Sequence, residues 1–244
     1  MDFDILPVGD LALQIFFKRP ASMDLQRHIQ QTTKQIEKMK IQGVVELVPA
    51  FQSITVYYNP ILISYKNLSE QISEICDGIS TEAAVSSKKV IMIPTCYDGE
   101  DLENVALRSG LSTEEVISIH SSVDYLVYMI GFLPGFPYLK GLPSRLATPR
   151  LSSPRLKVPK GAVGIGGDQT GVYPLESPGG WNLIGRTPVP LFDPKKSEPF
   201  LLKAGDYLRF TPISDEEFKE NENLVKENKF KVEVNKIENN RSEL

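Results

Sequence analysis

Gly131-Phe132-Leu133-Pro134-Gly135-Phe136-Pro137-Tyr138-Leu139 and, further on, Ser177-Pro178-Gly179-Gly180-Trp181-Asn182-Leu183-Ile184-Gly185-Arg186-Thr187-Pro188 are the stretches on which the fold turns. Between Gly131 and Pro190 lie ten of the chain's 18 prolines and eleven of its 17 glycines. Proline has no N–H and clashes inside a helix, and glycine loses most backbone entropy there, so helices are excluded. Short strands joined by specified turns remain. An all-β, barrel-like domain is the expected architecture.

The segments that flank this block have a different character. Tyr125–Ile130 (YLVYMI) reads as a buried strand. Ser112-Thr113-Glu114-Glu115 is a capping box and starts a short helix that runs to about His120. Asp101–Ser109 is a second short helix, with a cap near Asp98. Val90–Pro94 is a strand. Thr81–Lys89 is polar and small, the composition of a linker. Downstream, Leu201–Phe210 reads as a strand pair around Gly205-Asp206, and Asp215–Asn228 as a charged helix. The last dozen residues are polar and are expected to fray.

The first eighty residues alternate in period. Phe3–Val8 and Leu11–Phe17 are strands joined by hairpin chemistry at Gly9-Asp10. Asp24–Lys40 has helical spacing at Leu25, Ile29, Ile36 and Met39, with Ser22 or Asp24 as cap and Gly43 as stop. Val44–Phe51 and Ser53–Tyr58 are strands, and Tyr65–Cys76 is again helical. The expected class is therefore α+β. Residues 1–80 form a two-layer α/β domain in the order strand-strand-helix-strand-strand-helix. A linker (81–89), a β-barrel domain (90–214) and a charged helix and tail (215–244) follow.

Composition sets further limits. The chain has 244 residues, 41% of them hydrophobic, enough to bury a core without staples. A net charge of -4 argues against bulk nucleic-acid binding. No apolar run is long enough to span a bilayer and the N-terminus has no signal-peptide pattern, so a soluble cytoplasmic protein is expected. Two histidines and two distant cysteines, Cys76 and Cys96, make no metal spacing, so no metal site is expected. His28 is expected to be exposed, and His120 to be a satisfied structural histidine.

The block around Gly131–Pro190 carries the candidate chemistry. Rigid Gly/Pro loops let backbone approach a ligand at low entropic cost. Phe132, Phe136, Tyr138 and Trp181 supply aromatic walls. Arg150, Arg155 and Arg186 supply planar donors suited to carboxylate or phosphate. The Gly179 and Gly180 N–H groups are candidate donors to an oxyanion, and Gln169 is a candidate amide donor. Eleven lysines and arginines face five acids between Tyr128 and Pro212. That local excess suits a small anionic ligand or an acidic partner. The same residue types also build barrel corners and cores. Gly161-Ala162-Val163-Gly164-Ile165-Gly166-Gly167 is neither a P-loop nor a dinucleotide fingerprint, and reads as a strand whose glycines admit close packing. No G-x-S-x-G elbow occurs, and no residue has an evident activating base.

Together GFLPGFPYLKGLP, ATPRLSSPRLKVPKGAVGIGGDQTGVYPLESPGGWNLIGRTP and GDYLRF resemble the family of the 5-oxoprolinase B subunit and the Kip inhibitor, which is similar to the first-subunit domain of allophanate hydrolase and urea carboxylase carboxyltransferases. The likeness runs from PVGDLAL to GDYLRFTPI. The resemblance implies a cyclophilin-like barrel as the second domain. It also implies partners: the A and C subunits of an ATP-dependent 5-oxoprolinase that opens 5-oxo-L-proline to L-glutamate, with ATP as co-substrate of the complex and this chain inactive alone. Kip inhibitor-type members imply an alternative, a binding module that restrains autophosphorylation of a sporulation sensor histidine kinase. A part of a biotin-dependent carboxyltransferase is a third reading, without a biotinyl motif here. The run Asp98-Gly99-Glu100-Asp101 is shorter than the family's pattern at that point.

Overall fold

The computed structural model describes residues 2–79 and 88–237. The chain forms two compact units, Met1–Val85 and Ser86–Leu244. The linker expected over 81–89 falls mostly outside the described residues. No helix among the described residues is long and apolar enough to cross a membrane.

The first unit contains β1 (Phe3–Val8), β2 (Ala12–Phe17), α1 (Met23–Met39), β3 (Val44–Pro49), β4 (Ser53–Tyr58) and α2 (Tyr65–Asp77). The strands pair antiparallel in the order β1-β2-β4-β3. Period-2 alternation puts Leu13, Ile15 and Phe17 of β2 beside Ile54, Val56 and Tyr58 of β4 on one buried face. Leu25, Ile29 and Ile36 of α1 and Leu68 and Ile72 of α2 complete that core. Ser22 caps α1 by accepting from the Leu25 N–H at 3.2 Å. The helix stops at Lys40, which takes a left-handed φ of 46°, before Gly43 is reached.

His28 is not exposed as expected. It follows Leu25 by three positions and so lies on the inner face of α1. Its ring meets Phe17 edge-on at 5.3 Å, and neither ring nitrogen has a hydrogen-bond partner among the described residues. Burial, with the positive charges of the N-terminus and Arg19, holds its pKa below the usual value.

The second unit contains β5 (Lys88–Thr95), α3 (Leu102–Ser109), α4 (Thr113–Ser121), β6 (Tyr125–Ile130), β7 (Pro137–Lys140), a 3-10 turn at Ser144–Leu146, β8 (Arg155–Val158), β9 (Ala162–Gly166), β10 (Gln169–Val172), β11 (Ser177–Gly179), β12 (Asn182–Arg186), β13 (Tyr207–Pro212), α5 (Asp215–Lys226) and β14 (Val234–Ile237). Eight strands form one sheet in the order β12-β9-β10-β7-β6-β13-β5-β14, and β11 pairs with β8 beside it. Just past β5, Cys96 exchanges backbone hydrogen bonds of 2.9 and 2.8 Å with Arg186 at the end of β12. That bridge joins one edge of the sheet to the seventh strand and closes it on itself. Closure satisfies edge N–H and C=O groups that would otherwise face solvent or another chain.

Two sequence expectations are corrected. Leu201–Phe210 is not a strand pair. Only β13 forms, because β5 and β6 already offer it two partners and β13 pairs parallel with β5. The tail does not fray throughout. Val234–Ile237 adds antiparallel to the outer side of β5, where unpaired backbone groups are available.

The barrel core shows why His120 stays neutral. It is 0% exposed and stacks on Phe210 at 4.5 Å. Thr170 donates its one hydroxyl proton to the Gly164 carbonyl at 3.0 Å. Its oxygen must therefore accept from His120 Nε2 at 2.9 Å, which leaves Nδ1 to accept from the Tyr97 hydroxyl at 2.7 Å. Both nitrogens are satisfied without a charge, and burial pushes the pKa down to about 3.

Candidate functional site

The glycine-rich strand β9 organises the site. Val163 and Ile165 point into the barrel core, while Ala162, Gly164 and Gly166 face the other way. On the neighbouring strand β10 the register sets Gly166 opposite Gln169 and Gly164 opposite Gly171. This second face carries almost no side chains, and the Trp181 ring lies on it. A Cβ on Gly166 would collide with the indole, and one on Gly171 would come within 3.1 Å of it. The expectation that these glycines admit close packing therefore has a named occupant.

Trp181 is 4% exposed and centres an aromatic cradle. Phe136 meets it edge-on at 5.5 Å and Tyr173 at 6.3 Å. Tyr138 packs on Phe136 at 5.1 Å. Phe132 leans edge-on against Phe136 at 5.6 Å but is 66% exposed. Its backbone takes a φ of 68°, a conformation costly for a bulky side chain and typical of sites where geometry is imposed for a purpose.

The Ser177–Trp181 turn is held from behind. A Cβ on Gly179 would strike the Tyr173 hydroxyl. The Gly180 carbonyl accepts from Leu151 N–H at 2.7 Å. Burial pushes the Tyr173 pKa up, while the Trp181 N–H, Arg150 and Arg155 pull the other way. Burial also raises Tyr138, against the charge of Arg150. Both phenols stay protonated at neutral pH and so keep a hydrogen to donate.

The three arginines have different surroundings. Arg155 donates through Nη2 to both Asp101 oxygens at 2.8 and 2.9 Å, and its Nε lies 2.7 Å from Glu100. Asp101 also accepts from the Leu183 N–H at 2.6 Å. The Asp98–Asp101 run is thereby tied to β8 and β12. Arg186 pairs with Asp98 at 2.8 Å and Asp215 at 2.9 Å, and its guanidinium lies 4.1 Å from the Phe218 ring. Cys96, Asp98 and Asp215 bring possible ligand atoms within 4.8 Å of one another, but the Arg186 charge already sits among the carboxylates. Arg150 differs from both. It is exposed, makes no ion pair among the described residues, and stands 5.9 Å from the Trp181 ring centroid.

The fold thus brings Phe132, Phe136, Arg150, Gly179, Gly180 and Trp181 into one cradle. Gln169 lies on the same sheet face as Trp181, at the start of β10. Arg155 reaches the cradle only from outside, donating to the Trp181 carbonyl at 3.3 Å. Arg186 is at the barrel seam. Sequence reasoning did not find Asp101, which sits 54 positions from Arg155 and reads locally as the start of a helix. It also missed Tyr173, which a strand-edge tyrosine beside Gly171 could have signalled. Chemically, the cradle offers a cation without a carboxylate partner among the described residues, protonated phenols and apolar walls that exclude water. Those groups suit a small, flat, anionic molecule.

Comparisons with known proteins agree with this architecture. A model of the carboxyltransferase domain, subdomain C and D, matches residues 3–202. The chain is 41% identical to a protein of Bacillus subtilis named as the B subunit of 5-oxoprolinase, covering 88% of this chain and 95% of that one. A solved structure of a conserved uncharacterized protein from Pyrococcus horikoshii is 44% identical over 88% of this chain and all (100%) of that one, with a TM-score of 0.52. The urea carboxylase of Kluyveromyces lactis is 20% identical with a TM-score of 0.78, a likeness of fold alone, and this chain spans 24% of it. Another solved chain, 38% identical with a TM-score of 0.74, is also longer: this chain spans 40% of it.

Proposed function

The chain belongs to the family of the carboxyltransferase domain, subdomain C and D, and on that footing we propose that it serves as the B subunit of a 5-oxoprolinase. In this reading it acts with the A and C subunits in the ATP-dependent opening of 5-oxo-L-proline to L-glutamate. The lactam oxygen takes the γ-phosphoryl group of ATP and ADP leaves. Water attacks the activated carbon, the ring C–N bond breaks to release the amine and leave an acyl phosphate, and a second water hydrolyses that to the carboxylate and inorganic phosphate. The observation that carries this reading is the cradle. Arg150, with no carboxylate partner among the described residues, stands over a water-excluding aromatic floor and can hold the substrate carboxylate or an anionic intermediate.

The chain supplies part of a shared site in this reading and is inactive alone. His120 is packed with both nitrogens engaged, and burial together with Asp98 raises the pKa of the Cys96 thiol. Neither is placed to activate a nucleophile. Relatives in which the same fold is a fraction of a longer chain support a need for further parts. The cyclophilin-like description of the barrel and a cytoplasmic location belong to the same proposal. The closed sheet supports the first.

The test is ATP-dependent glutamate release, measured for this chain alone and with the A and C subunits. Activity is expected only in the combination. Full turnover by this chain alone, or turnover by the A and C subunits that is indifferent to its presence, would rule the assignment out.

A further inference from the structure

A second recess lies in the barrel unit and shares no residue with the cradle. It is a groove of about 700 Å³ between the loop after β12 and the segment after α5. Its floor is apolar: the Phe192 and Phe200 rings pack at a tilt with centroids 5.2 Å apart, and Phe230 and Val232 also line it. Its rim is cationic. Lys89, Lys160, Lys195 and Lys196 line it against two carboxylates, Asp193 and Glu198. Asp193 is engaged in shaping the loop, since its Oδ1 accepts from the Lys195 N–H at 3.0 Å. Lys160, Lys195 and Lys196 make no ion pair among the described residues.

The segment after α5 is built by a specific reversal. Asn228 takes a left-handed φ of 56°, and the N–H groups of Lys229 and Phe230 both donate to the Leu224 carbonyl, at 2.8 and 3.1 Å. The chain then turns back, and Phe230 and Val232 pack on the barrel core before β14 joins β5. All of this lies beyond residue 202, where the family match ends.

We propose that this groove binds a phosphorylated small molecule that carries an aromatic ring, the chemical class of nucleotides. Lysine ammonium groups are compact charges that suit phosphate oxygens. Lys89 is 4.0 Å from Asp206, and the other three exceed what Glu198, the remaining carboxylate of the rim, needs. The exposed Phe200 ring offers a face on which a flat base can lie. A volume of this size falls within the range of small-molecule sites. Binding in the groove and the role in the complex are separable, because a chain that binds no nucleotide here can still support glutamate release by the complex.

The experiment is calorimetric titration of the full chain with ATP, with adenosine and with tripolyphosphate. Saturable ATP binding is expected, with each fragment at least about 10-fold weaker because each keeps half the contacts. The double substitution Lys195→Ala/Lys196→Ala, on exposed side chains, is expected to lower ATP affinity by about 10-fold or more while the circular dichroism spectrum is retained. Phe200→Ala is expected to weaken ATP but not tripolyphosphate. The proposal fails if ATP does not bind, if tripolyphosphate equals ATP, or if the lysine variant binds normally. It also fails if Arg150→Ala abolishes the binding, which would put the anion in the cradle.

Discussion

Arg155 and Asp101 form a two-pronged ion pair, with Nη2 lying 2.8 and 2.9 Å from the two carboxylate oxygens. The same carboxylate accepts the Leu183 N–H of β12. Two residues far apart in sequence thus pin the Asp98–Asp101 loop, β8 and β12 into one corner. The charge of Arg155 is taken up by this corner, which separates it from Arg150 although both sit in similar Pro-Arg contexts.

Asp101→Ala takes the two-pronged acceptor from Arg155, which keeps Glu100, and strands the Leu183 N–H. The expected loss is about 2–3 kcal/mol in urea unfolding. Arg155→Ala is expected to cost a similar amount, and the double variant much less than the sum, since both remove one interaction. Full additivity would show that the pair is not coupled.

Arg150→Ala should separate function from stability. Its side chain is exposed and has no ion-pair partner among the described residues, so unfolding free energy is expected to change by less than about 0.5 kcal/mol. Turnover by the assembled complex is expected to fall about 100-fold, the scale of losing one charge-stabilising donor. Steady-state kinetics on the complex with Arg150→Lys tests the geometry, since lysine restores charge but not the planar fork.

Gly166→Ala places a methyl group where the indole of Trp181 lies. The expected destabilisation is about 1–3 kcal/mol from overpacking. The chain has 1 tryptophan, so its intrinsic fluorescence reports the cradle directly. A red-shifted emission maximum is expected as the ring is displaced towards water. An unchanged spectrum and stability would mean that the ring does not rest on this strand.

His120 makes stability depend on pH. Its folded pKa of about 3 lies below the unfolded value near 6.5. Between those values the unfolded chain binds a proton that the folded chain refuses, so stability falls as pH drops from about 6.5 towards 3. The limiting slope is about 1.4 kcal/mol per pH unit for one such group. His28, lowered by burial as well, acts in the same direction. Urea midpoints between pH 7 and pH 4 check this, and His120→Gln is expected to flatten the profile.

Much of the fold was legible because its determinants are local. Ser112 and Glu115 are three residues apart and form the capping box that the spelling implies. The run Gly161–Gly167 reads as a strand whose glycines admit close packing, and β9 is that strand. What packs on those glycines was not legible, because Trp181 arrives from the turn between β11 and β12. His28 was misplaced because its helical position had to be weighed against a polar side chain, and burial prevailed without a hydrogen-bond partner among the described residues for either nitrogen.

By itself, then, the sequence determined most of the elements and the mixed α/β character, and it narrowed the candidate site to one block, since proline, glycine and hydrophobic period act over a few residues. Only the tertiary structure decided which arginine is left without a carboxylate among the described residues. Arg150, Arg155 and Arg186 have the same side chain. Their difference lies in whether a carboxylate from a distant segment comes within hydrogen-bond reach, and in whether Cys96 and Arg186 meet to close the barrel. Those are contacts across long loops, and no local pattern encodes which partner wins.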